Sequence, residues 1–124
     1  MIRRPALLAL LLLLALPAGA AARGAGGRGL WIGPIPVCRD TAQVVTGTDR
    51  RGAATATIGL RGRWRERLRR ETERRVGEPM PVRLDGRLIS APIVLEPLTG
   101  GVLMLNGASP REVEALRAAA GRGC

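Results

Sequence analysis

The spacing of apolar and polar residues along the chain changes period several times. In "AATATIGL" (53–60), Ala54, Ala56, Ile58 and Leu60 fall on one side and Thr55, Thr57 and Gly59 on the other, the period of two of a half-buried strand. The β-branched run "AQVVTGT" (42–48) precedes it, with polar "DRRG" between, so the two runs predict a hairpin. Beyond Gly62 the period lengthens. Trp64, Leu68, Thr72 and Val76 recur every four residues, which is one narrow helix face. Glu66–Arg70 and Glu71–Arg75 stand in the favourable order for i,i+4 pairs; Gly77 takes the position after the helix and Pro79 stops it.

Alternation returns in "MPVRLD", with Met80, Val82 and Leu84 inward and Arg83 and Asp85 outward. Asp85 and Gly86 form a two-residue hairpin signal, because a type I′ turn needs positive φ at both central residues. The chain returns through "RLIS". Pro92 lacks an N–H, so the strand there must bulge, end or lie at an edge. Thr99, Gly100 and Gly101 read as a turn, and Val102 to Leu105, wholly apolar, as a buried central strand. Ser109, Pro110 and Glu112 make a capping box with proline at the first helical position; Val113, Leu116 and Ala120 give that helix its apolar stripe, and Gly121 closes it.

The predicted order is ββαβββα, an α+β fold in which a small antiparallel sheet of about five strands carries two helices on one face. It occupies residues 37–124. Residues 23–36, "RGAGGRGLWIGPIP", are rich in Gly and Pro and read as a flexible linker that becomes extended near Leu30. Residues 1–22 have the layout of a secretory signal peptide. Arg3 and Arg4 are followed by the apolar run Ala6–Leu16, then Pro17 and small residues, with cleavage expected after Ala20 or Ala22. An uncleaved anchor is the alternative. The expected destination is the periplasm or the exterior.

Export changes the reading of the cysteines. Cys38 and Cys124, an even pair in a small exported chain, predict a disulfide that closes nearly the whole domain; a free thiol or an intermolecular bridge is the other outcome. The net charge of +10 comes entirely from arginine and drops only to +8 when Arg3 and Arg4 leave with the leader. It favours acidic polypeptide or anionic headgroups, although a solvated arginine surface explains it as simply.

Several chemistries are excluded. There is no histidine for a hydrolytic triad, and Ser90 and Ser109 are occupied by a strand end and a helix cap. No glycine-rich phosphate loop opens a helix. With only Trp31 and Trp64 as aromatics, stacking on nucleic acid is poorly served. Two cysteines without histidine make a poor metal ligand set, and no cofactor is implied. The chain reads as a non-enzyme.

From Val76 onward the order of these signals resembles SecD, the protein-export membrane subunit, at the head of its first large periplasmic domain. Thr72, Val76 and Gly77 match the end of that family's helix. Leu84, Asp85 and Gly86 match its Leu-Asp-Gly, and Ser90, Ala91 and Pro92 its Ser-Ala-Pro. Gly100, Gly101 and Gly107 match later turns, and Glu112, Leu116 and Gly121 the last helix. The resemblance covers about residues 37–123 and implies a head that holds emerging unfolded polypeptide while proton-driven motion in the membrane draws it outward. It does not extend to the membrane helices of that family or to the base of the domain, and the two cysteines are not part of its pattern. The expected partner is therefore unfolded polypeptide, gripped at a sheet edge near Pro92 or Val44 and aided by first-helix arginines. An accessory protein docked on an envelope complex through Trp31, or held on an anionic membrane surface, is the competing expectation. Oligomeric state is left open.

Overall fold

Seven strands and two helices form within residues 27–124, the part of the chain described by the computed structural model. The predicted signal peptide and its cleavage points lie outside the described residues. The α+β class holds, with more strands than the pattern predicts and two antiparallel sheets in place of one.

The extra strands arise where a linker was expected. Leu30–Ile32 (β1) and Ile35–Val37 (β2) pair antiparallel about Gly33 and Pro34. Gly33 has φ +53°, the positive value that a tight hairpin turn requires at its first central residue. Its N–H donates to the Pro81 carbonyl at 2.8 Å. Leu30, Ile32, Ile35 and Val37 are all buried. The linker expectation for 23–36 is thus corrected from Leu30 onward: apolar alternation on either side of Gly33-Pro34 outweighs the loop-forming tendency of Gly and Pro.

The remaining elements are β3 (Ala42–Thr48), β4 (Ala54–Leu60), α1 (Arg63–Glu73), β5 (Val82–Leu84), β6 (Arg87–Ser90), β7 (Val102–Asn106) and α2 (Pro110–Ala120). One sheet has the order β2-β1-β5-β6 and the other β3-β4-β7. α1 packs against β4 and β2, and α2 against β3, β4 and β1, so each helix touches both sheets. One core results, containing Ile58, Leu68, Met80, Leu105 and Leu116. Each such side chain contributes about 1.5–3 kcal/mol by leaving water.

Two further expectations change. Val102 to Leu105 is not a central strand: β7 is an edge, and its Val102 and Met104 are 48% and 56% exposed while Leu103 and Leu105 are buried. An apolar run alternates in burial when its sheet has one face on the core and the other toward solvent. Val76 is not on the α1 stripe either. The helix ends at Glu73, three residues earlier, and Val76 instead bridges to Val94. α2 forms as predicted, with the Ser109 hydroxyl accepting from the Glu112 N–H and the Glu112 carboxylate accepting from the Ser109 N–H, each at 3.1 Å. Gly121 ends it with φ −78°, so its freedom to take positive φ is unused.

Candidate functional site

Pro92 lies in an extended segment that leaves one backbone edge open. The Met80 N–H donates to the Pro92 carbonyl at 2.8 Å, and the Val94 N–H to the Glu78 carbonyl at 2.9 Å. The Val94 carbonyl accepts from Gly77 at 2.7 Å. Ile93 stands opposite Pro79 between the first two of these bonds, so its own N–H and C=O turn to the other side. Neither Ile93 nor Leu95 makes a backbone hydrogen bond among the described residues. Both side chains are presented to solvent, Ile93 55% and Leu95 85% exposed. Beside them lies a cleft of about 230 Å³ lined by Thr72, Met80, Pro92, Val94, Leu98 and Leu103, among others, and predominantly apolar.

Thr72 fixes one wall of this cleft. Its hydroxyl lies 2.8 Å from the Leu68 carbonyl and accepts from the Leu98 N–H at 2.9 Å, tying the loop before β7 to α1. Gly77, with φ +85°, makes the sharp return that brings residues 77–80 alongside 92–94. Thr72, Gly77 and Pro92 are therefore gathered here, with Ser90 and Ala91 leading in from β6.

The other motif residues lie elsewhere. Asp85 and Gly86 have φ +51° and +82°, as a type I′ turn requires. The Asp85 carboxylate accepts from the Gly29 N–H while its own N–H donates to the Gly29 carbonyl, both at 2.8 Å. Leu84 is buried opposite Leu30. The turn residues thus fasten β1 into its sheet. Gly101 accepts at its carbonyl from Leu60 at 2.7 Å, next to Arg65, with Gly100 exposed beside it. Cys38 and Cys124 form a disulfide with Cα atoms 5.4 Å apart, a usual span for such a bond. Asp40 is close to both sulfurs, but with these bonded to each other the group offers a metal only a carboxylate. Trp31, the expected anchor, stands half-buried in β1 with its indole N–H donating to the Arg28 carbonyl.

The α1 arginines are largely committed to the helix itself. Buried Glu71 binds Arg75 at 2.8 Å, Arg67 at 3.3 Å and Arg74 at 3.7 Å. Burial pushes its carboxyl up, but the hydrogen bonds from Arg75 and Arg67 more than offset this, and its pKa is lowered. Arg69 is held by Glu66 and Glu73; the predicted Glu66–Arg70 pair is replaced by Glu66–Arg69 at 2.6 Å. By contrast Arg39 and Arg61, at the ends of β3 and β4, and Arg65 on α1 enter no ion pair among the described residues.

Among the described residues no helix is long and apolar enough to cross a membrane. The chain matches no family profile and no curated protein by sequence. Solved structures do match. One is of SecDF, described as a membrane component that enhances protein export. It is 24% identical, with a TM-score of 0.59 over 66% of this chain and 39% of the other. A second is SecDF in its super-membrane-facing form, 23% identical, with a TM-score of 0.57 over 70% of this chain and 12% of the other. This chain spans well under half the length of either. What is shared at that identity is the fold, and over about two-thirds of this chain that fold is SecD-like.

Proposed function

We infer that the protein is a non-catalytic, exported module that holds extended, unfolded polypeptide in association with protein export. The observation that carries this reading is the open backbone edge at Ile93 and Leu95 beside an apolar cleft. An added strand would exchange main-chain hydrogen bonds with Ile93 and Leu95, which any sequence can do, and would place an apolar side chain in the cleft. Unfolded chains offer free backbone for this along their length, whereas folded proteins have most of theirs already paired. The SecD-like fold supports the connection to export, since the SecDF structures that share it are of an export-enhancing component.

The test is binding of labelled polypeptide to the purified protein. A permanently unfolded chain should bind and its folded counterpart should not. Ile93→Lys with Leu95→Lys, both at exposed positions, should weaken binding about tenfold while leaving the thermal melt in place. Equal affinity for folded and unfolded chains, or no effect of the double substitution, would overturn the reading.

A further inference from the structure

The two sheets treat their edges differently. The edge strands of the β2-β1-β5-β6 sheet carry Pro36 on β2 and Arg87 on β6, residues that discourage strand pairing. β3, an edge of the other sheet, is seven residues long and has neither charge nor proline. Its phase is fixed at both ends. Asp49 N–H donates to the Ala53 carbonyl and Arg61 N–H to the Thr41 carbonyl, each at 2.9 Å, so odd-numbered residues of β3 bond to β4. Val44, Thr46 and Thr48 therefore direct their N–H and C=O outward, and these groups have no backbone partner among the described residues.

The first residues of this edge border a groove of about 290 Å³ whose lining includes Gln43, Val44, Arg39, Arg61 and Arg117. Arg117 is paired with Glu114, but Arg39 and Arg61 are exposed and in no ion pair among the described residues. Among the described residues no carboxylate side chain lines the groove. We propose that β3 is a second strand-addition edge, selective for an extended segment of polypeptide carrying acidic side chains, which Arg39 and Arg61 receive at its start. An outward-facing row of backbone donors and acceptors fits a peptide; a bilayer or a nucleic acid has no use for one. The kind of partner rests on the strand-addition reading above, but the edge, the charge selectivity and the test are separate.

Unstructured peptides of one length, acidic, neutral or basic, would be titrated against the purified protein by fluorescence anisotropy. The acidic peptide should bind about tenfold tighter than the neutral one at low salt and lose that margin at high salt. Arg39→Gln with Arg61→Gln should erase the margin without changing affinity for the neutral peptide. Thr46→Pro removes one outward N–H and leaves the β4 pairing intact; it should weaken the acidic peptide. Should that variant fold poorly, an acidic peptide N-methylated at alternate residues supplies the same test on the unaltered protein. The Ile93→Lys, Leu95→Lys variant should retain the acidic preference, so failure of either edge is distinguishable. Equal binding of all three peptides, an unchanged margin in the arginine variant, full binding of the N-methylated peptide, or association with anionic vesicles but no acidic peptide would each overturn the proposal.

Discussion

Gly100 and Gly101 are adjacent, identical in type and equally suggestive of a turn, yet they carry different constraints. A Cβ on Gly101 would lie 2.6 Å from Arg65 Cγ and 3.1 Å from Arg65 Cβ, and the residue has φ +73°. A Cβ on Gly100 would meet nothing within 4 Å. Gly101→Ala should therefore cost about 1–2 kcal/mol, from left-handed strain together with displacement of Arg65. Gly100→Ala should stay within about 0.5 kcal/mol. Urea midpoints of the two variants measure the difference, and equal midpoints would contradict the close packing at Gly101. The turn was legible in the sequence, but which glycine is indispensable was not, because that depends on a helix side chain far away in sequence. Asp85 shows the same division. Asp-Gly announces the turn, whereas the carboxylate's bond to Gly29 lies 56 residues away and leaves no local trace.

α1 shows what a periodic pattern conveys about an element and where it stops. Leu68 and Thr72 are buried as the four-residue spacing predicts, and Trp64 is half-buried. The spacing could not say that the helix ends before Val76, since the bridge that captures Val76 comes from residue 94. The sequence also left the β1–β2 hairpin unread, although Leu30, Ile32, Ile35 and Val37 alternate around its turn, because the surrounding glycines and prolines resemble a linker. The charge pattern of α1 has a measurable consequence. Glu71 has a folded-state pKa below its ordinary value of 4.5, so its stabilising effect is complete above that value and fades as pH falls through the lower folded-state value. Glu71→Gln should lose about 1–2 kcal/mol near neutrality and show a shallower loss of stability on acidification than the parent. Unfolding midpoints across that pH range test it; parallel curves for the two proteins would exclude Glu71 as a source of the acid sensitivity.

For the molecule as a whole, the α+β class and most strand and helix positions were legible, while the division into two sheets was not, since partner choice among strands is set by non-local packing. Near the candidate site, Pro92 was legible as a place where a strand must bulge, end or lie at an edge, and β6 does end at Ser90, because a missing N–H is a local property. The pairing of Arg67, Arg74 and Arg75 with a buried glutamate, and the lack of an ion pair at Arg39 and Arg61 among the described residues, emerge only in three dimensions. The disulfide was anticipated from cysteine count, and its two ends are 86 residues apart. Reduction should lower stability by about 2–4 kcal/mol, shown by a fall in urea midpoint that Cys38→Ser with Cys124→Ser reproduces without reductant. An unchanged midpoint would mean that the bond constrains the unfolded chain little.

The position of that bond also decides where mechanical load goes. A pull applied to the chain ahead of Cys38 and at Cys124 passes straight across the two sulfurs. Everything between them, β3 to β7 and both helices, is shielded from that tension, and among the described residues only the short hairpin ahead of Cys38 is left to bear it. Tension that enters and leaves at those two points therefore bypasses the backbone of the enclosed elements.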